Sequence, residues 1–151
     1  MTDPEFQSLV MEFTNCNANI AFEPDRELVS ITVTGLLQGE FAFQIMQRIE
    51  ETANVAGWNF IWDLSESRID TKFSALGELA LASPEGANQA RRARGEEVKT
   101  AWVVSTVADR WILESLSMEY PWPAEWAYFT RVADGLSWLT DASTGRRQQL
   151  G

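Results

Sequence analysis

Residues 58–77 read WNFIWDLSESRIDTKFSALG. Trp58, Phe60, Ile61, Trp62 and Leu64 make a nearly unbroken apolar run, with Asp63 its one acid. A strand that is apolar on both faces belongs in the interior of a sheet covered on both sides. The polar letters Ser65, Glu66, Ser67, Arg68 and Asp70 follow, with Ile69 among them, and then a helix-like spacing carries Phe73, Leu76, Leu79 and Ala80 inward. Strand, loop, helix in that order puts a loop at the carboxyl end of a central strand, where open α/β sheets keep their sites.

Upstream of this stretch, residues 19–23 and 28–34 alternate in polarity, with Ile20 and Phe22, then Val29, Ile31 and Val33, on one side. Pro24-Asp25-Arg26 between them is turn chemistry. The pair predicts an antiparallel hairpin whose first strand lies at or near a sheet edge, with Gly35 ending the second. Residues 1–16 are weakly patterned; Leu9, Met11 and Phe13 alternate, which suits a short strand or a loose arm. From Glu40 the spacing changes. Phe41, Ile45, Ile49 and Ala53 recur every four residues, widened by Ala42 and Met46, and predict an amphipathic helix with Gly57 as its stop.

Downstream, Ser83-Pro84-Glu85 reads as a fresh helix start, and the segment to Arg94 has only Ala87, Ala90 and Ala93 as its apolar stripe. Ala101-Trp102-Val103-Val104 is a second buried strand. Thr106-Val107-Ala108-Asp109 resembles a capping box with Asp in place of Glu, and opens a helix through Trp111, Leu113 and Leu116 that Pro121 ends. Residues 126–130 read as a third strand and residues 132–139 as a closing helix. The expected order is β-β-α-β-α-β-α-β-α. That is an α/β fold with a mostly parallel five-stranded sheet and helices packed on it, spanning residues 17–140 between an N-terminal arm and a flexible tail of residues 141–151.

Composition narrows the function. The 151 residues are of single-domain size. The formal net charge is -10, and residues 1–75 carry most of it, with 4 Lys+Arg against 12 Asp+Glu. Such a chain repels nucleic acid and anionic membrane. No apolar run is long enough for a membrane span, and no leader pattern opens the chain. Cys16 is the single cysteine, so no internal disulfide forms and a reducing, cytoplasmic setting is expected. There is no histidine, which removes the commonest general base and metal ligand. Paired carboxylates, metal-ligand clusters and phosphate-cradling glycine loops are missing too. The sequence therefore predicts no catalytic residues, no metal and no cofactor.

The element order resembles the STAS / SpoIIAA-like fold, including the STAS-like proteins grouped with SEC14-type lipid-binding domains. Four pieces carry the likeness: the hairpin ending Ile31-Thr-Val-Thr-Gly35, the strand Phe60-Ile-Trp-Asp63-Leu64-Ser65, the strand Ala101-Trp-Val-Val-Ser105, and Tyr128-Phe129-Thr130 followed by Ala133-Asp-Gly-Leu-Ser-Trp138-Leu139. The anti-sigma-factor antagonists of that family carry a strand-end Asp-Leu-Ser, matched by Asp63-Leu64-Ser65, and then a phosphorylated serine, for which Thr71 stands in a looser match. There Lys72-Phe73-Ser74 interrupts the family's motif, and its Ser-Gly step is absent. The resemblance implies a bacterial regulatory module that binds a partner protein, with Thr71 as its phosphorylation candidate.

Six residues are binding candidates: Asp63, Ser65, Thr71, Ser105, Thr106 and Trp122. Each has a plainer role. Asp63 braces a loop or helix start as readily as it orients a ligand. The four hydroxyls suit turns and caps. Trp122, held between Pro121 and Pro123, is either a contact anchor or a staple on the sheet. Two functions follow: a non-enzymatic interaction module that contacts a partner protein, or a carrier of a small apolar ligand or lipid, with Trp and Phe side chains lining a cavity between helices and sheet.

Overall fold

A computed structural model describes residues 7–55, 57–70, 98–119 and 124–140. Among them lie six strands in one sheet, in chain order: β1 (Gln7–Phe13), β2 (Cys16–Glu23), β3 (Leu28–Leu37), β4 (Asn59–Ile69), β5 (Val98–Val104) and β6 (Ala124–Phe129). β1, β2 and β3 pair antiparallel; β3 to β6 pair parallel. The helices are α1 (Gly39–Thr52), α2 (Val107–Glu119) and α3 (Val132–Thr140). The segments expected to be helical between β4 and β5 lie outside the described residues.

The expected five strands become six because residues 7–13 pair along their full length with β2. Leu9, Met11 and Phe13 turn toward the main core, and Phe13 stacks on Phe41 of α1 with ring centroids 4.5 Å apart. That contact makes the alternation a strand. The turn residues behave as expected: Pro24–Arg26 is one 3-10 turn, closed by Glu27 N–H on the Pro24 carbonyl.

Two glycines do not mark the boundaries expected of them. Gly35 does not end β3, which runs on to Leu37. Gly57 does not stop α1, which ends where Ala53 turns extended; Gly57 takes φ +88° beside the turn closed by Trp58 N–H on the Val55 carbonyl.

β4 is the interior strand that its sequence predicts. Phe60, Trp62 and Leu64 face one side, Ile61 the other, and all four are buried. On the first side they join Val29, Ile31 and Val33, the stripe Ala42, Ile45, Met46 and Ile49 of α1, and Leu113 of α2. Trp62 and Trp102 stack at 5.2 Å between centroids, and Trp126 meets Trp102 edge-on at 5.1 Å. Such pairs add about 0.5–1.5 kcal/mol beyond the area they bury. On the second side Ile61, Ala101 and Val103 pack beneath α3 through Leu139. The close approach of α3 depends on Gly135, where an added Cβ would lie 3.2 Å from Ile61 Cδ1. Parallel steps in one direction with right-handed crossovers put their helices on one face. α1 and α2 accordingly share the first face, and α3, which follows the last strand, takes the other.

Candidate interaction site at the strand ends

The loop expected at Ser65 to Asp70 is strand as far as Ile69. β3 continues past Gly35, and β4 pairs with it to the end: Thr34 with Glu66, Gly35 with Ser67, Leu36 with Arg68, Leu37 with Ile69. Ser67 and Ile69 turn inward and are buried, while Glu66 and Arg68 are exposed, so the polar letters hide a period of two. Ser67 Oγ donates to the Gly35 carbonyl at 2.8 Å, which lets a hydroxyl sit inside.

The register slips once. Thr32 pairs with Asp63 and Thr34 with Glu66, so β4 holds one residue more than β3 there. Such a bulge leaves an amide without a ladder partner. Asp63 supplies one: its Oδ1 accepts from Ser65 N at 3.0 Å and from Ser65 Oγ at 2.7 Å. The carboxylate of Asp63 thus holds the bend at which β4 leaves β5, since β5 ends at Val104 opposite Leu64.

Ser65 and Ser105 each stand one residue beyond that last pair, so the sheet brings these two candidates to one level on adjacent strands. Both are exposed. Thr106 caps α2, its Oγ1 accepting from Asp109 N at 3.1 Å. Thr71 and Trp122 lie outside the described residues. Four of the six candidates therefore gather at the carboxyl edge of β4 and β5, with Asp63 and Thr106 engaged in local bonds.

The sequence reading missed Asp109 as part of this edge. The capping-box pattern leads one to expect its carboxylate at the Thr106 amide. Instead Oδ1 accepts from Ile69 N at 3.3 Å, across 40 residues of chain. Beyond Val104 the β5 side of β4 has no ladder partner among the described residues, and Asp109 takes that place. Its side chain is 1 % exposed. Arg68 Nε stands 3.8 Å from Oδ2, which has no hydrogen-bond partner among the described residues. The alternation of Ser65 to Ile69 was the available signal: it placed Arg68 outward and Ile69 inward on a longer strand.

Next to this edge α2 shows an unexpected surface. Helical geometry sets Val107, Trp111 and Met118 within about 40° of one another, roughly opposite Asp109 and Leu113. They are 83 %, 67 % and 86 % exposed. Trp111, read as one of the apolar residues of this helix, and Val107 face away from the sheet because Ile112 and Leu113 make the core contact. Arg110 and Glu114 pair at 3.0 Å beside the stripe. Among the described residues no cluster of His, Cys, Asp or Glu could hold a metal ion, and no helix is long and apolar enough to cross a membrane. Burial pushes the Cys16 thiol above its ordinary pKa.

Fold and site define a mixed-sheet α/β protein with helices on both faces and a polar carboxyl edge. No family model matches the chain, and no curated protein matches it. Among solved structures, the chain is similar in fold to an anti-sigma factor antagonist from Mycobacterium paratuberculosis, with a TM-score of 0.43 and 10% sequence identity, covering 93% of this chain and 100% of that one.

Proposed function

We propose that this protein is a non-enzymatic interaction module of STAS type that binds a partner protein through the outward face of α2 and the adjoining strand ends. The observation that carries the reading is the stripe Val107–Trp111–Met118. A tryptophan 67 % exposed between two exposed aliphatic side chains is surface whose cover by another molecule is favourable. Trp is prominent among the residues that dominate binding energy in protein contacts. The polar neighbours Ser65, Ser105 and Arg110 supply a rim. At the strand ends, Asp63 and Thr106 act as braces that fix the shape of this edge.

The test is photocrosslinking in cells with a photoreactive residue at position 111, and at Glu51 of α1 as control. One discrete partner band from position 111 and none from position 51 is expected. The variant Trp111→Lys should weaken capture of that partner by on the order of tenfold or more, as for a contact worth about 1.4 kcal/mol, with an unchanged melting temperature. Equal capture by the variant refutes the docking face.

The carrier reading keeps one observation in its favour. Among the described residues the buried indole N–H of Trp102 has no acceptor, and a ligand oxygen would satisfy it. Against that, Trp62, Trp102 and Trp126 are packed on one another, so these tryptophans spend their surface in the core. Lipid found by native mass spectrometry of the purified protein would restore this reading.

A further inference from the structure

Among the described residues β1 is an outer strand of the sheet, and it carries an inference separate from the docking face. Leu36 N–H donates to the Asn15 carbonyl at 2.9 Å. Odd-numbered residues of β2 and its approach therefore bond toward β3, and even-numbered ones toward β1, because backbone bonding alternates along a strand. In the register Cys16 with Phe13, Ala18 with Met11 and Ile20 with Leu9, the amides of Leu9, Met11 and Phe13 are then taken up by β2. Those of Ser8, Val10 and Glu12 point outward.

Sheet edges are normally blunted by lysine, proline, a bulge or brevity. β1 has seven residues, QSLVMEF, with no lysine, arginine or proline, and pairs with β2 without a register break. Val10 is 67 % exposed, and Leu9 and Met11 are only partly buried.

We propose that β1 pairs antiparallel with β1 of a second copy about a twofold axis at Val10, joining two six-stranded sheets into one. The strand is complementary to itself in this register. Val10 faces Val10 of the partner, and Ser8 faces Glu12, so all three outward-pointing residues meet outward-pointing residues. Leu9 meets Met11 on the core side and extends the apolar layer across the axis. The single charge of the strand, Glu12, meets a hydroxyl and not its own image, which matters for a chain of net charge -10. The centre of the strand is the centre of the pairing, so the whole of β1 is used.

The experiment is sedimentation equilibrium of the full chain, from micromolar to hundreds of micromolar, with circular dichroism and thermal melts as fold controls. The wild type should reach the mass of two chains. Val10→Pro removes an outward N–H while leaving the β1–β2 ladder intact, as proline is tolerated on edge strands, and should sediment as one chain. Val10→Lys sets two cations face to face and should do the same, which keeps the test decisive if the proline variant misfolds. Ser8→Lys creates two Lys–Glu pairs across the axis and should tighten association on the order of fivefold. A wild type that stays one chain throughout overturns the proposal, including one that instead takes up an added extended peptide. So does a dimer that survives both Val10 substitutions, or one that Ser8→Lys weakens. Trp111→Lys should leave the dimer intact, so this result and that of the docking face are read apart.

Discussion

Gly35 combines a positive φ with a close contact. Its φ is +95°, and an added Cβ would stand 2.1 Å from the Asn15 carbonyl oxygen. That oxygen is held there by Leu36 N–H, and Gly35 itself pairs with Cys16 on one side and Ser67 on the other. Neither the φ nor the oxygen can yield alone. Gly35→Ala should therefore cost about 2–3 kcal/mol, the upper part of the range for a strained backbone residue, seen as a lower urea midpoint at unchanged slope. A loss under about 0.5 kcal/mol, the level of an ordinary surface change, would mean that the backbone relaxes and the contact is not a constraint. The sequence made the glycine visible but assigned it the wrong task. As a strand terminator it needed only flexibility. As the crossing point of β2, β3 and β4 it needs the absence of a side chain, and that follows from contacts with residues 20 and 32 positions away.

At the scale of the element, β4 divides at its bulge into a legible half and an illegible half. Phe60 to Leu64 declared themselves because residues apolar on both faces have no place except inside a covered sheet. Ser65 to Ile69 did not, because one inward position is a serine whose hydroxyl is satisfied by the Gly35 carbonyl. Nothing local marks that bond. The same holds for Asp109, whose partner Ile69 lies on another element; the local pattern proposed a capping box, and only half of it, the Thr106 bond, forms. This far end of β4 should then depend on the acid. Asp109→Ala leaves the Ile69 amide buried without a partner and should cost about 1–3 kcal/mol. Asp109→Asn retains an acceptor oxygen and should recover most of it. Arg68, exposed to 63 %, contributes little through its 3.8 Å ion pair, and Arg68→Ala should change stability by under about 1 kcal/mol. Amide exchange at Ile69 separates the cases, since it accelerates selectively in Asp109→Ala. If Arg68→Ala proves as damaging as Asp109→Ala, the carboxylate acts through its charge and not as a ladder substitute.

For the whole molecule the governing quantity is the acid excess. The net charge of -10 is spread over a chain whose described surface ion pairs, Arg26 with Glu23, Arg110 with Glu114 and Arg131 with Asp134, are all short-range and exposed. Pairs of that kind are worth about 0–1 kcal/mol each, so screening them forfeits little. Self-repulsion among the surplus acids acts over longer distances and opposes the compact state. It is also what added salt removes first, since the screening length falls from about 10 Å at 0.1 M to about 3 Å at 1 M. The two effects have opposite signs, and the repulsion is the larger because the surplus has no cation to answer it. The melting temperature should therefore rise as sodium chloride is raised from low to moderate concentration, before any cosolvent effect of concentrated salt. Charge-reversal substitutions make the cause testable: Glu51→Lys, exposed on α1, should raise the low-salt melting temperature and flatten its dependence on salt. A melting temperature that falls with salt would mean that the short-range pairs carry more stability than the surplus removes, and the fold would then rest on its surface attractions to a degree that their exposure does not suggest.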